Sequence, residues 1–181
     1  MQDNPFKFCP SCGSQSPLWS DAKKIDFPHC GFTLYMNVAS ATACLITRRG
    51  ELLLTVRARD PGKGRFGLPG GFVDPGEGAV AGLARELAEE LGLSVAEERL
   101  VFLYSFPNSY PYKGIVYDSC DLFFQLELSD SEGEPQARDE VSSLSWRRID
   151  SVRPEEMAFG SMGRAVKRFA SGDFKGLLHP L

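Results

Sequence analysis

Along residues 1–36, short apolar pieces alternate with turn formers, Pro10, Gly13, Pro28 and Gly31 among them. No apolar run there is long enough to build a core unaided, so the segment needs a staple or a host surface. From Ala39 the texture changes. Ala39 to Thr47 is nearly continuously apolar, Arg48-Arg49-Gly50-Glu51 reads as a turn, and Leu52 to Val56 reads as a returning strand. A hairpin is predicted. Residues 61–78 form a long loop rich in glycine and proline, after which Ala79 to Leu91 has helical periodicity and is closed by Gly92. Further strands are predicted over Leu100 to Phe106, Cys120 to Leu128 and Leu144 to Arg148. A closing helix is predicted over Ser161 to Ala170, where Met162, Ala165, Val166 and Phe169 recur by three and four residues on one face. Strands on both sides of a helix, with another helix at the end, indicate an α/β sandwich with a mixed sheet.

The 181 residues suit one catalytic domain, 37–181, preceded by a small appendage, 1–36. An apolar share of 43% is enough for a real core. No stretch approaches the roughly 18 to 20 uncharged apolar residues of a membrane helix, and Met1 to Phe8 lacks the layout of a signal peptide, so a cytoplasmic protein is expected. A net charge of −4 argues against a nucleic-acid binder that works through a broad basic surface. A small anionic ligand needs only a local cluster, and Arg57, Arg59, Lys63 and Arg65 supply one.

Of the five cysteines, Cys44 and Cys120 lie in apolar runs and are expected to fill core. The others are arranged differently. Cys9-Pro10-Ser11-Cys12-Gly13 has the spacing of a metal knuckle, and Phe27-Pro28-His29-Cys30-Gly31 resembles a second one whose first cysteine is phenylalanine. A structural zinc takes four ligands. Either His29, Asp26 or another group completes the set begun by Cys9, Cys12 and Cys30, or the metal is lost and Phe27 fills its space.

Glu86, Glu89 and Glu90 follow an i, i+3, i+4 spacing, and at about 100° per residue they share one face of the predicted helix. Val80, Leu83, Leu87 and Leu91 occupy the neighbouring arc, which can pack on a sheet. Gly82 falls within the carboxylate arc at a cost of about 1 kcal/mol against alanine, which makes sense if bulk there would obstruct something. Grouped hard oxygen ligands suit magnesium or manganese. Taken alone, three glutamates are most simply a solvated acidic face.

The surrounding spacing reverses that weighting. Gly71, Glu77, Arg85, Glu86, Leu87, Glu89, Glu90, Gly92 and Leu93 resemble the Nudix box, in which Gly, five residues, Glu and seven residues lead to Arg-Glu-aliphatic-x-Glu-Glu-x-Gly-aliphatic. Every specified position matches, and the resemblance extends over about Ala39 to Phe169. It implies a Nudix-type α/β/α sandwich behind a zinc-ribbon-like segment. It also implies a pyrophosphohydrolase that uses magnesium or manganese to cleave a diphosphate linkage in a nucleotide. In that family Glu86, Glu89 and Glu90 would bind the metal, joined by the backbone carbonyl of Gly70, while Gly71, Glu77 and Arg85 would be structural. The catalytic base could be Glu86, Glu89 or a glutamate beyond the box, for which Glu140 is placed.

After the box, Tyr104 to Tyr112 offers aromatics for stacking on a base, Phe106 and Tyr110 among them. Phe106-Pro107-Asn108-Ser109 reproduces the last four positions of the signature Ser-Gln-Pro-Trp-Pro-Phe-Pro-x-Ser of NADH pyrophosphatases, a subgroup with a similar ribbon-plus-Nudix layout; the first five positions differ. NADH, ADP-ribose, nucleotide sugars and dinucleotides therefore all remain candidate substrates. A homodimer is a common assembly in the family, though no stretch here marks an interface. The alternative reading is a nucleotide-sensing regulatory or binding protein on the same scaffold, against which the intact box speaks.

Overall fold

The computed structural model describes residues 6–15, 17–21 and 23–173. It divides into two compact units, one comprising Met1–Val38 with Lys113–Ile115 and the other Ala39–Tyr112 with Val116–Leu181. In the smaller unit β1 (Leu18–Asp21), β2 (Lys24–Phe27) and β3 (Phe32–Tyr35) form an antiparallel sheet in that order. β2 alternates, with Ile25 and Phe27 buried and Lys24 and Asp26 facing outward, as a half-buried strand should. Cys9, Ile25 and Phe27 make a small core, closed by Phe6, Phe32, Leu34 and Met36. Phe27, standing where a fourth cysteine would be expected, is 1% exposed and packs on Phe32.

The larger unit is built on β4 (Ala39–Arg48), β5 (Glu51–Arg57), β6 (Phe66–Gly67), β7 (Val101–Tyr112), β8 (Ile115–Glu127) and β9 (Val141–Arg148). The sheet order is β6-β5-β4-β8-β7, with β9 also paired to β5. β4 and β8 run parallel in a register that sets Ala41 beside Asp121 and Cys44 beside Phe124, while the other registered pairs are antiparallel. The sheet is therefore mixed.

Both its faces are covered, which is why β4 and β5 read as continuous apolar runs. Cys44, Ile46, Leu53, Phe124 and Leu126 pack against Leu83, Leu87 and Leu91 of α1 (Ala79–Leu91). Ala43, Leu45, Leu52, Leu54 and Phe123 pack against Ala165, Val166 and Phe169 of α2 (Gly160–Ala170). Alternation along each strand puts the two helices on opposite faces, giving the expected α/β/α sandwich. α1 ends where the sequence places its stop. Gly92 is left-handed at φ 67°, its N–H bonds the Ala88 carbonyl and the Leu93 N–H bonds that of Leu87, so the helix closes in the αL manner.

β7, β8 and β9 are longer than the apolar pattern suggests. β7 runs on through Pro107, Asn108 and Pro111, which read as loop formers. It is an edge strand, so a proline there removes no obligatory ladder bond. The aromatic stretch Tyr104 to Tyr112 is thus strand rather than loop. Cys44 is fully buried, whereas Cys120, also expected in the core, is partly exposed.

Leu87 lies at the centre of the α1 layer with no exposed surface. Leu87→Ala should lower unfolding free energy by about 3 kcal/mol, from lost transfer energy and the cavity left behind, as measured by urea denaturation.

Candidate functional site

The segment 69–73 is strapped to β4 by backbone bonds from Cys44 N–H to Pro69 O at 2.8 Å, Thr42 N–H to Gly71 O at 2.8 Å and Val73 N–H to Ser40 O at 3.0 Å. It passes between β4 and the carboxylate face of α1, and that passage admits no side chain. A Cβ on Gly70, whose φ is 134°, would lie 2.2 Å from the Thr42 carbonyl oxygen. A Cβ on Gly71 would lie 2.4 Å from Glu86 Oε1. The Gly70 N–H donates to Glu90 Oε2 at 2.9 Å, tying loop to helix.

Arg85 organises the acidic side chains. Its Nη2 and Nε donate to the two oxygens of Glu77 at 2.7 and 3.2 Å, its Nη1 to Glu86 Oε1 at 2.9 Å and to Glu89 Oε2 at 3.0 Å. Nη2 also reaches the Phe72 carbonyl at 3.2 Å, and Glu77 in turn accepts the Asp74 N–H at 2.8 Å. The Arg85 guanidinium holds the Glu77 carboxyl below the usual carboxylate range. Gly82 makes room for this pair, since a Cβ there would sit 2.8 Å from Glu77 Oε1. The obstruction that the sequence implied at Gly82 is therefore Glu77.

Glu86 and Glu90 have fewer cationic neighbours than charges to balance. Burial pushes Glu86 up, opposed by Arg85, and pushes Glu90 up to about 7, opposed by the Gly70 N–H. Desolvated carboxylates this close call for cationic or protonic compensation, and their hard oxygens are of the kind magnesium and manganese take.

These groups form one wall of a cleft of about 290 Å³ that Asp74, Asp139 and Glu140 also line. Of the residues singled out from sequence, Gly70, Gly71, Glu86, Glu89, Glu90, Glu140, Arg57 and Tyr110 all reach it. Arg57 lies with its guanidinium carbon 5.1 Å from the Phe159 ring centroid, its Nε bonded to the Pro61 carbonyl at 2.7 Å. Arg59 stands outside the lining and pairs with Glu140 at 2.8 Å. Arg65 is exposed and bonds the Glu155 carbonyl. Phe106 corrects an expectation: its ring packs into the α2 layer against Tyr104 and Phe123 instead of lining the cleft.

Several lining residues escaped the sequence reading: Phe72, Asn108, Ser119, Asp121, Phe159 and Met162. Asp121 had a signal, a charge on the inward register of an apolar strand two residues before Phe123. Phe159 had none, because it sits in an unpatterned turn before α2.

In the smaller unit the sulfurs of Cys9, Cys12 and Cys30 all lie within 4.8 Å of one another, with Cys9 and Cys30 at 3.5 Å. Tetrahedral zinc with bonds of about 2.3 Å needs sulfur separations of about 3.8 Å, so the triad is close to that size. Hydrogen bonds with Ser14 lower the Cys12 thiol to about 6. Among the described residues no fourth His, Cys, Asp or Glu joins the group.

No helix among the described residues is long and apolar enough to cross a membrane. The family model described as the NUDIX domain matches residues 36–169. The chain is 30% identical over 148 residues to an NAD-capped RNA hydrolase, NudC, of Stutzerimonas stutzeri, covering 81% of this chain and 49% of that one. It thus spans about half the length of that curated relative. It is 39% identical over 121 residues to an ADP-ribose pyrophosphatase of Methanocaldococcus jannaschii, covering 67% of this chain and 68% of that one. A crystal structure of a NUDIX hydrolase from Nitrosomonas europaea superposes with a TM-score of 0.68 over 94% of both chains at 22% identity, a likeness of fold. With the family model matched over most of its length and the box residues gathered in one cleft, the chain belongs to the NUDIX domain family.

Proposed function

We propose that the protein hydrolyses the diphosphate linkage of a small nucleoside-diphosphate derivative, such as ADP-ribose or NADH, with magnesium or manganese. The observation that carries this reading is the convergence of Glu86, Glu89 and Glu90 with Glu140 and Arg57 in one cleft that also holds Phe72, Tyr110 and Phe159. Glu86, Glu89 and Glu90, with the Gly70 carbonyl, would hold the divalent ion. When bound, that ion neutralises charge on the diphosphate and lowers the pKa of the attacking water. Arg57 offers the cleft a cation for a phosphate oxygen, and the aromatic rings offer faces and edges to a base. Glu140, within the same cleft, takes the water's proton, and its pairing with Arg59 orients it. Arg85 keeps Glu86 and Glu89 in place without touching substrate.

The relatives' names point to two substrates, NAD-capped RNA and ADP-ribose. A chain of net charge −4 has little to offer a long polyanion, which favours the small nucleotide. Residues 1–36 are proposed as a separate ribbon-like domain before a catalytic domain, 37–181. The thiol triad is proposed as a zinc site completed by a ligand from outside it, with a structural role.

A panel of ADP-ribose, NADH, NAD-capped RNA, dinucleoside polyphosphates and nucleoside triphosphates, assayed with magnesium or manganese, tests the reading. One preferred small nucleotide is expected, silenced by Glu89→Gln. Nucleotide binding without turnover of any member would favour a sensor. Glu140→Gln should lower kcat by about a hundredfold at saturating magnesium; unchanged turnover would remove it as the base. Freshly purified protein should release one zinc per chain when its thiols are titrated in the presence of a chelator, and zinc-free protein would leave the triad as thiols alone.

A further inference from the structure

The mechanism above makes no use of Asp121, although this residue lines the cleft at 6% exposure. Its position follows from strand periodicity. Ser119, Asp121 and Phe123 alternate onto the α2 face of β8, where Phe123 fills the core. The parallel register sets Ala39, Ala41 and Ala43 beside them on β4. Small residues there leave space above Asp121, and the cleft extends into it.

The carboxylate is fixed at both oxygens. Ser119 Oγ donates to Oδ1 at 2.7 Å, and Ser161 Oγ, fully buried in the first turn of α2, donates to Oδ2 at 2.6 Å. Among the described residues no lysine or arginine forms an ion pair with it. A buried charge held only by hydroxyls is expensive, and packing alone would be served by an apolar side chain. A carboxylate has about four acceptor positions, and two hydroxyls leave the others open. It is a preorganised acceptor in the wall of a ligand cleft. Its charge repels phosphate, so the part of a nucleotide that fits beside it is the nucleoside, whose donors include exocyclic amino groups and sugar hydroxyls.

We propose that Asp121, held by Ser119 and Ser161, is a specificity-determining residue that accepts hydrogen bonds from the nucleoside, through a base amino group or the ribose diol. This rests on the reading of the cleft as a nucleotide site. A site built around such an acceptor discriminates against ligands lacking the donor, because a buried polar group is then left unpaired.

The test is calorimetric binding, with magnesium, of ADP, GDP and IDP, of CDP and UDP, of 2′,3′-dideoxy-ADP, and of inorganic pyrophosphate. Wild-type protein is expected to bind an amino-bearing diphosphate about tenfold or more tighter than the counterpart that lacks that amino group, which assigns the base, or ADP that much tighter than dideoxy-ADP, which assigns the sugar. Asp121→Asn should erase that ratio without weakening pyrophosphate binding. Wild-type affinities within twofold across each pair, or a ratio that survives in Asp121→Asn, would overturn the proposal. The wild-type comparison holds even if the variant folds poorly. Failure to bind pyrophosphate as well as the nucleotides would overturn the nucleotide reading itself.

Discussion

One guanidinium holds the acidic face of α1 together. Glu86 and Glu89 lie within a turn of each other on α1, and beside the Glu77 loop they would repel. Arg85 bonds all three, and the Phe72 carbonyl as well. Its fork spans carboxylates at different heights along the helix and in the loop, which a lysine's point charge would not do at once. Glu90 is outside its reach and is held instead by the Gly70 N–H. The carboxylates are thereby divided between two anchors, one ionic and one backbone, and both anchors also fix the loop that leads into the helix.

That loop is the second constraint. Because 69–73 runs bonded along β4, the end of the sheet and the start of α1 cannot move apart without breaking backbone pairs. Gly70 and Gly71 are required by contact, since a methyl group at either position would strike the Thr42 carbonyl or the Glu86 carboxylate. At the other end of α1 the acidic segment 130–140 docks on the helix terminus. Arg138 N–H bonds the Glu90 carbonyl at 2.9 Å and Gln136 N–H the Leu91 carbonyl at 3.0 Å, so carbonyls left over by the helix help to place Glu140 in the cleft. The segment is thus held by the backbone of the metal-binding helix proposed here.

The sequence made most of this arrangement legible wherever one local pattern decides the outcome. The limits of α1 follow from its periodicity and from Gly92. Residues decided by distant neighbours were harder to read. Phe106 and Tyr110 belong to the same aromatic stretch, yet only Tyr110 lines the cleft. Extension of β7 along the edge of the sheet turns Phe106 toward Tyr104 and Phe123, a consequence of strand pairing that no local pattern contains. Asp121 shows the same limit from the other side. Its inward register is readable, but the hydroxyl of Ser161, forty residues later, decides how its charge is held.

The two faces of the sheet carry different burdens. On the α1 side, the carboxylates and their anchors gather where β4 meets the box loop. On the α2 side, Asp121, Met162 and Phe159 meet the small residues Ala41 and Ala43, and these surfaces set the shape and hydrogen bonding of the recess. The box loop separates the two, so a change in β8 or at the start of α2 can reshape the recess while leaving the Arg85 network untouched. Under the proposed function, chemistry resides in the box and selectivity in strand positions outside it. A complete box therefore identifies the family, and under the same proposal the substrate is chosen largely by residues that the box does not contain.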